Sequence, residues 1–255
     1  MRPAIRLLPG LVADAVATAA VRGVAGTVLA WRRAAAWWQA EIGRHVAPAV
    51  WAALALTVVA ILAIDRPVAE AVRQIDPDLR AVLEVVTQLG DSAGYIVGGI
   101  VLALVLWVVE RARPDLGARW RLALWSRRSA YFAACVVVSG LASILLKIVF
   151  GRPRPRMWFG EELFAFHPFT IDTSSDFASI PSGHSTTIWS VAVALLVLFG
   201  VRRVGWAVVP VALAVSATRV LLTDHFVGDV IAGAALGGLT AVLLAPPFRV
   251  GRGRN

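Results

Sequence analysis

Ile180-Pro181-Ser182-Gly183-His184 closes a polar loop and opens the apolar run Ser185 to Gly200. A proline at a helix start, then a hydroxyl, a glycine and an imidazole, make a corner suited to an anion. The start of a helix offers unpaired N–H groups and a partial positive charge. Gly183 lets a backbone come close, Ser182 can donate a hydrogen bond, and His184 can carry a proton. A helix cap with a chance histidine would look the same, so the weight falls on what surrounds this corner.

The surroundings are those of a membrane protein. The chain has 255 residues, 58% of them hydrophobic, and a mean hydropathy of +0.74. Soluble domains run at about 45–50% apolar. Apolar runs of about 18 residues or more, enough for a hydrocarbon core of about 30 Å, recur along the chain. They predict six spans: Val46 to Ile64, Gly94 to Val109, Ala130 to Phe150, Ser185 to Gly200, Val204 to Leu222 and Val227 to Ala245. The fold class expected is therefore all-α and integral to the membrane, with six transmembrane helices. Gly233 and Gly237, four apart in the last span, permit close helix packing. The single cysteine, Cys135, lies inside a span, so there is no disulfide framework and a core role is expected.

Between the spans, Asp65–Asp91 reads as a short interfacial helix broken at Pro77, with Leu79–Leu89 able to continue as another. Residues 111–128 read as an arginine-rich loop and residues 151–181 as a long polar loop. Residues 1–45 form a basic N-terminal segment, either an amphipathic helix on the membrane surface or a flexible piece. The core extends over 46–250, and 251–255 is a basic tail.

The net charge of +9 would suggest nucleic acid in a soluble protein. Here loop arginines obeying the positive-inside rule account for it, and no nucleic-acid partner is expected. Of the 24 arginines, 17 fall on the side shared by the N-terminal segment, the 111–128 stretch, Arg202/Arg203 and the tail. That side is expected to be cytoplasmic, with both termini. The 151–181 loop and the turn Thr223–Phe226 then face outward together.

Three stretches carry chemistry at that outer face. Lys147, the only lysine, lies near the end of the third span, seven residues before Arg154 in Gly151-Arg152-Pro153-Arg154-Pro155. A lysine in an apolar helix is costly and marks a functional candidate, although it can also snorkel to the headgroups. The prolines drive the chain out of the helix at about Gly151, so that Arg154 can turn back toward Lys147. Arg219 puts a second costly charge inside the fifth span. His225 and Asp229, four apart at the start of the sixth, fall on one helix face. An aspartate there can accept Nδ1–H of His225 and leave Nε2 free as a nucleophile.

Topology brings Lys147, Arg154, Ser182, His184, Arg219, His225 and Asp229 to one membrane face from four segments. Three cations and a helix N-terminus around two histidines describe a dianion site, and phosphate fits best. One histidine would attack phosphorus and the other would protonate the leaving oxygen. Two histidines and an aspartate could instead hold zinc, but three cations nearby would repel a divalent ion. Trp158, Phe159, Phe164, Phe166 and Phe169 in the outer loop could wall a lateral entrance for a lipid or simply anchor the loop at the interface. His167 in the same loop reads as structural.

The order Lys147-x6-Arg154-Pro155, then Pro181-Ser182-Gly183-His184, then Arg219-x5-His225-x3-Asp229 resembles the type 2 phosphatidic acid phosphatase (PAP2) superfamily. Thr218 stands where that family usually has serine. The resemblance implies a membrane phosphatase of lipid phosphates with no cofactor and no metal. It makes His225 the nucleophile that becomes phosphohistidine, Asp229 the group that orients it, and His184 the general acid. Lys147, Arg154, Ser182, Gly183 and Arg219 would hold the phosphate. A phosphotransferase passing the group to an alcohol, or a lipid-phosphate binding protein, are the alternatives. The expected partners are a lipid phosphate and membrane lipids.

Overall fold

A computed structural model of the protein describes Arg44 and residues 46–112, 115–171 and 175–245. Most of the basic segment 1–45 and all of the tail 251–255 lie outside the described residues.

The described elements are helical. α1 covers Ala47–Val59, continues through one wide π turn at Ala60–Ile64, and resumes as α2, Asp65–Ala71. α3 (Pro77–Thr87) starts where Asp76 accepts hydrogen bonds from the backbone N–H of Asp78 and Leu79. Proline at its first position lacks only an N–H that a helix start leaves unused. A 3-10 turn at Gln88–Gly90 leads to α4 (Ser92–Ala112). The broken interfacial segment expected over Asp65–Asp91 is thus two helices flanking Pro77.

α5 (Leu116–Phe150) corrects the sequence reading. Arg119, Arg121, Arg127 and Arg128, expected in a loop, lie within a continuous 35-residue helix capped by Asp115. At about 1.5 Å per residue it is about 52 Å long and outruns any hydrocarbon core. Hydropathy marks where a helix leaves lipid, not where it ends. The helix stops at Gly151, whose φ of 53° is left-handed and whose missing Cβ would collide with the His167 carbonyl. A short α6 (Pro155–Glu161) interrupts the polar loop expected over 151–181.

α7 (Gly183–Phe199), α8 (Val201–Leu221) and α9 (Val227–Leu243) complete the bundle. By length and composition, four helical stretches can cross a membrane: Ala47–Ala71, Pro77–Ala112, Gly117–Glu161 and Val201–Leu221. α7 and α9 are apolar but have only 17 residues each.

Two packing relations place the ends of these helices. A Cβ on Gly233 would lie 2.5 Å from the Ser182 carbonyl oxygen, and one on Gly237 2.1 Å from that of Thr186. Both residues advance by four, so α7 and α9 run parallel in backbone contact, and the start of α7 lies beside the first two turns of α9. The close packing expected of this glycine pair is present. Tyr131 on α5 donates to the Ala241 carbonyl at 2.7 Å, and Cys135 lies in the same buried cluster with Ala194 and Ala245. α7 further contacts α8 through Trp189 Nε1, which donates to Ser216 Oγ at 3.0 Å.

Candidate active site

The parallel start of α7 and α9 gathers residues that are far apart in sequence. Ser182 precedes α7, and its backbone N–H donates to the Asp229 carbonyl in the first turn of α9 at 2.9 Å. Pro181 is outside the helix rather than at its first position. On the α5 side, Lys147 Nζ would be 3.7 Å from a Cβ on Gly183, so the ammonium faces the opening turn of α7. Arg154, Arg219 and Asp229 are within electrostatic range of Lys147, and Arg219, Lys147, Asp91 and Asp224 within that of His184. The His184 ring packs against Gly90, where a Cβ would come within 2.8 Å of it.

His225 lies in the turn between α8 and α9, just ahead of the helix rather than in it, with its backbone N–H on the Arg219 carbonyl at 3.1 Å. It is 3% exposed. Its Nδ1 stands 3.7 Å from Asp229 Oδ2, close but beyond hydrogen-bond length. The direct hydrogen bond expected from four-residue spacing is therefore not formed here, because Oδ2 already accepts from Phe226 N–H at 2.9 Å and Ser179 Oγ at 2.5 Å. Burial pushes the His225 pKa down to about 4; Asp229 opposes that shift and the charges of Arg154 and Lys147 add to it. The ring is neutral at pH 7, as a nucleophile requires.

The cations differ in their surroundings. Arg219 is paired: its NH2 is 2.8 Å from Asp224 Oδ2 and its NH1 2.9 Å from Thr87 Oγ1. Among the described residues, no carboxylate lies within ion-pair distance of Lys147 or Arg154. Arg154 Nε, Ser182 Oγ, Arg219 Nε and His225 Nδ1 are buried polar atoms without a hydrogen-bond partner. The open donors of Arg154, Ser182 and Arg219 suit a multivalent oxyanion. Among the described residues, no three His, Cys, Asp or Glu side chains come together as a metal site would need.

Three contacts escaped the sequence reading. Arg152 is fully buried and bridges Asp229 Oδ1 at 2.6 Å and Asp65 Oδ2 at 2.7 Å. Ser179 holds the other Asp229 oxygen. The one local signal was Asp65, an acid directly continuing an apolar run. The aromatic residues of the 151–181 loop are also arranged. Arg66 lies 4.8 Å from the Trp158 ring centroid and 4.2 Å from that of Phe164, and Arg73 lies over Phe159. Phe164 meets Phe226, next to His225, at 5.4 Å, whereas Phe169 is exposed.

The sequence pattern of the PAP2 superfamily matches residues 128–249. A lipid A 1-phosphatase of Rhizobium etli is 36% identical over 162 residues, covering 64% of this chain and 68% of that protein. The undecaprenyl-diphosphatase BcrC of Bacillus subtilis is 28% identical over 130 residues, covering 48% and 60%. The crystal structure of a transmembrane PAP2 type phosphatidylglycerolphosphate phosphatase from Bacillus subtilis superposes with a TM-score of 0.51. It covers 80% of this chain and 98% of that one at 22% identity, a likeness of fold.

Proposed function

This chain belongs to the PAP2 superfamily, a multi-pass membrane phosphatase, and on that premise we propose that it hydrolyses a lipid phosphate or pyrophosphate through a phosphohistidine, without a metal. Neutral His225 attacks phosphorus through Nε2, and the bond from phosphorus to the leaving oxygen breaks in line. His184, whose proton the bound phosphate dianion stabilises, gives it to that oxygen. Water then attacks the phosphohistidine, His184 takes up its proton, and inorganic phosphate leaves. Asp229 favours the Nδ1–H tautomer and balances the positive ring that forms on attack. Lys147, Arg154, Arg219, Ser182 and the Gly183 N–H hold the phosphate oxygens.

The observation that carries this reading is the pairing of a buried, neutral His225 with uncompensated donors on the facing helix ends. The names of the relatives suggest the substrates to try: a phosphorylated lipid A, a polyprenyl pyrophosphate and phosphatidylglycerophosphate, with phosphatidate added. Purified protein should release phosphate from at least one of them with a chelator present, and no release from any would end the proposal. The arginine bias assigns the site to the extracytoplasmic face of the inner membrane. A reporter after Asn255 should read as cytoplasmic and one inserted near Thr173 as outside; the reverse would move the site to the cytoplasm.

A further inference from the structure

We infer that Asp65 and Arg152 are positioning residues for the reaction, fixing the direction and the effective charge of the Asp229 carboxylate that faces His225. This rests on the role proposed for His225 above.

The Arg152 guanidinium is closed off from any substrate. It has no exposed surface, and the rings of Phe226, Phe164 and Phe166 lie 4.5, 5.2 and 5.6 Å from it. It therefore cannot serve as a phosphate ligand, despite standing two residues from Arg154. Its two NH groups are divided between Asp229 and Asp65. The second oxygen of Asp65 accepts the Gly228 N–H at 2.8 Å and so fastens the first turn of α9. Every Asp229 oxygen is thus directed: Oδ1 by Arg152, Oδ2 by Ser179 and the Phe226 N–H. Oδ2 is left facing Nδ1 of His225 and cannot rotate away.

The charges fit the same purpose. One guanidinium shared by two carboxylates leaves a net negative charge beside the ring. Arg152 with Asp229 alone would be neutral and would offer a forming imidazolium less. Asp65 reaches this position through the π turn. Buried positions on α1 and α2 are Thr57, Ala60, Asp65 and Ala69, and the five-residue step from 60 to 65 crosses the wide turn. The other charged or titratable groups around His225 are Lys147 on α5, Arg154 beyond it, Arg219 near the end of α8 and Asp224 in the turn after it; His184 on α7 is within electrostatic range of Lys147, Arg219 and Asp224.

The test is a charge-compensation cycle in the full-length protein. Arg152→Gln should raise the acid limb of the kcat/KM profile by roughly half to one pH unit, since the negative charge beside His225 is no longer offset. Adding Asp65→Asn should bring the limb back, because one positive and one negative charge have then gone. Both single variants should lower kcat tenfold or more with KM within about twofold, since neither residue touches substrate. Arg152→Lys should restore the limb but not the full rate. A limb that stays put in Arg152→Gln, or moves further in the double variant, leaves a merely structural network and overturns the inference. If Arg152→Gln does not fold, Asp65→Asn decides alone: unchanged kcat sinks the idea. Carbethoxylation of His225, which needs the neutral ring, gives the same midpoints by peptide mass without turnover. If no lipid phosphate is hydrolysed, the proposed function fails while these midpoints still decide the coupling.

Discussion

Arg152 and Arg154 stand two residues apart in one Gly-Arg-Pro-Arg-Pro stretch and meet opposite surroundings. Arg152 is dry, roofed by three aromatic rings and divided between two carboxylates. Arg154 has no ion-pair partner among the described residues. Compensation tells the two apart where residue type cannot. A cation whose charge is already met by carboxylates holds the scaffold of the site. A cation held near others without a counter-ion is costly unless an anion comes to it.

The proposed roles give this contrast a scale, and the largest effect belongs to the group that both regions serve. His225→Ala should abolish phosphate release while the purified protein keeps its elution volume and melting temperature. Labelled phosphate trapped on His184 instead would reverse the two histidines.

Next comes the arginine pair itself. Arg154→Met should cost about 3 kcal/mol of transition-state stabilisation, a hundredfold or more in kcat/KM, with melting little changed. Arg152→Met breaks a buried ion network and should cost about 3–5 kcal/mol of stability, read as lower melting in detergent. Equal melting of the two variants would erase the distinction.

Lys147 sharpens it further. A compact ammonium facing the opening turn of α7 is not replaced by a planar fork, so Lys147→Arg should lose roughly tenfold in rate although charge is kept. Vanadate should protect the ammonium from an amine-directed reagent. A normal arginine variant would make Lys147 a snorkelling anchor.

The pH dependence is the gentlest probe. With His225 held down to about 4, the acid limb of kcat/KM should lie well below pH 6.5, where His225 takes up a proton, while loss of the His184 proton sets the opposite limb. Arg154→Met removes one of the charges that lower it, so its acid limb should move upward. An acid limb already near pH 6.5 in the wild type would mean that the ring is not buried as described.

What could be read beforehand followed from local rules. Apolar length gave the spans, and the four-residue steps from His225 to Asp229 and from Gly233 to Gly237 gave neighbours. What could not be read was set by distance along the chain. Arg152 lies 77 residues from Asp229 and 87 from Asp65, and Ser179 lies 50 from Asp229. No periodicity joins such positions. The expected His225–Asp229 hydrogen bond is lengthened because Ser179 and the Phe226 N–H occupy the same oxygen, a competition visible only after folding. The first half of α5 could not be read for the opposite reason, since its arginines signal water and not the end of a helix.

The two 17-residue helices that start at the site have a mechanical consequence. Each is about 25 Å long against a hydrocarbon core of about 30 Å. No residue of either helix is exposed, so longer neighbours face the lipid, and a headgroup that sinks several ångströms to reach the starts of these helices would deform the bilayer. Elastic deformation of the membrane then becomes part of the activation barrier. Vesicles of stepped acyl length should show turnover falling as the bilayer thickens, and a flat response would mean that the surrounding helices absorb the mismatch.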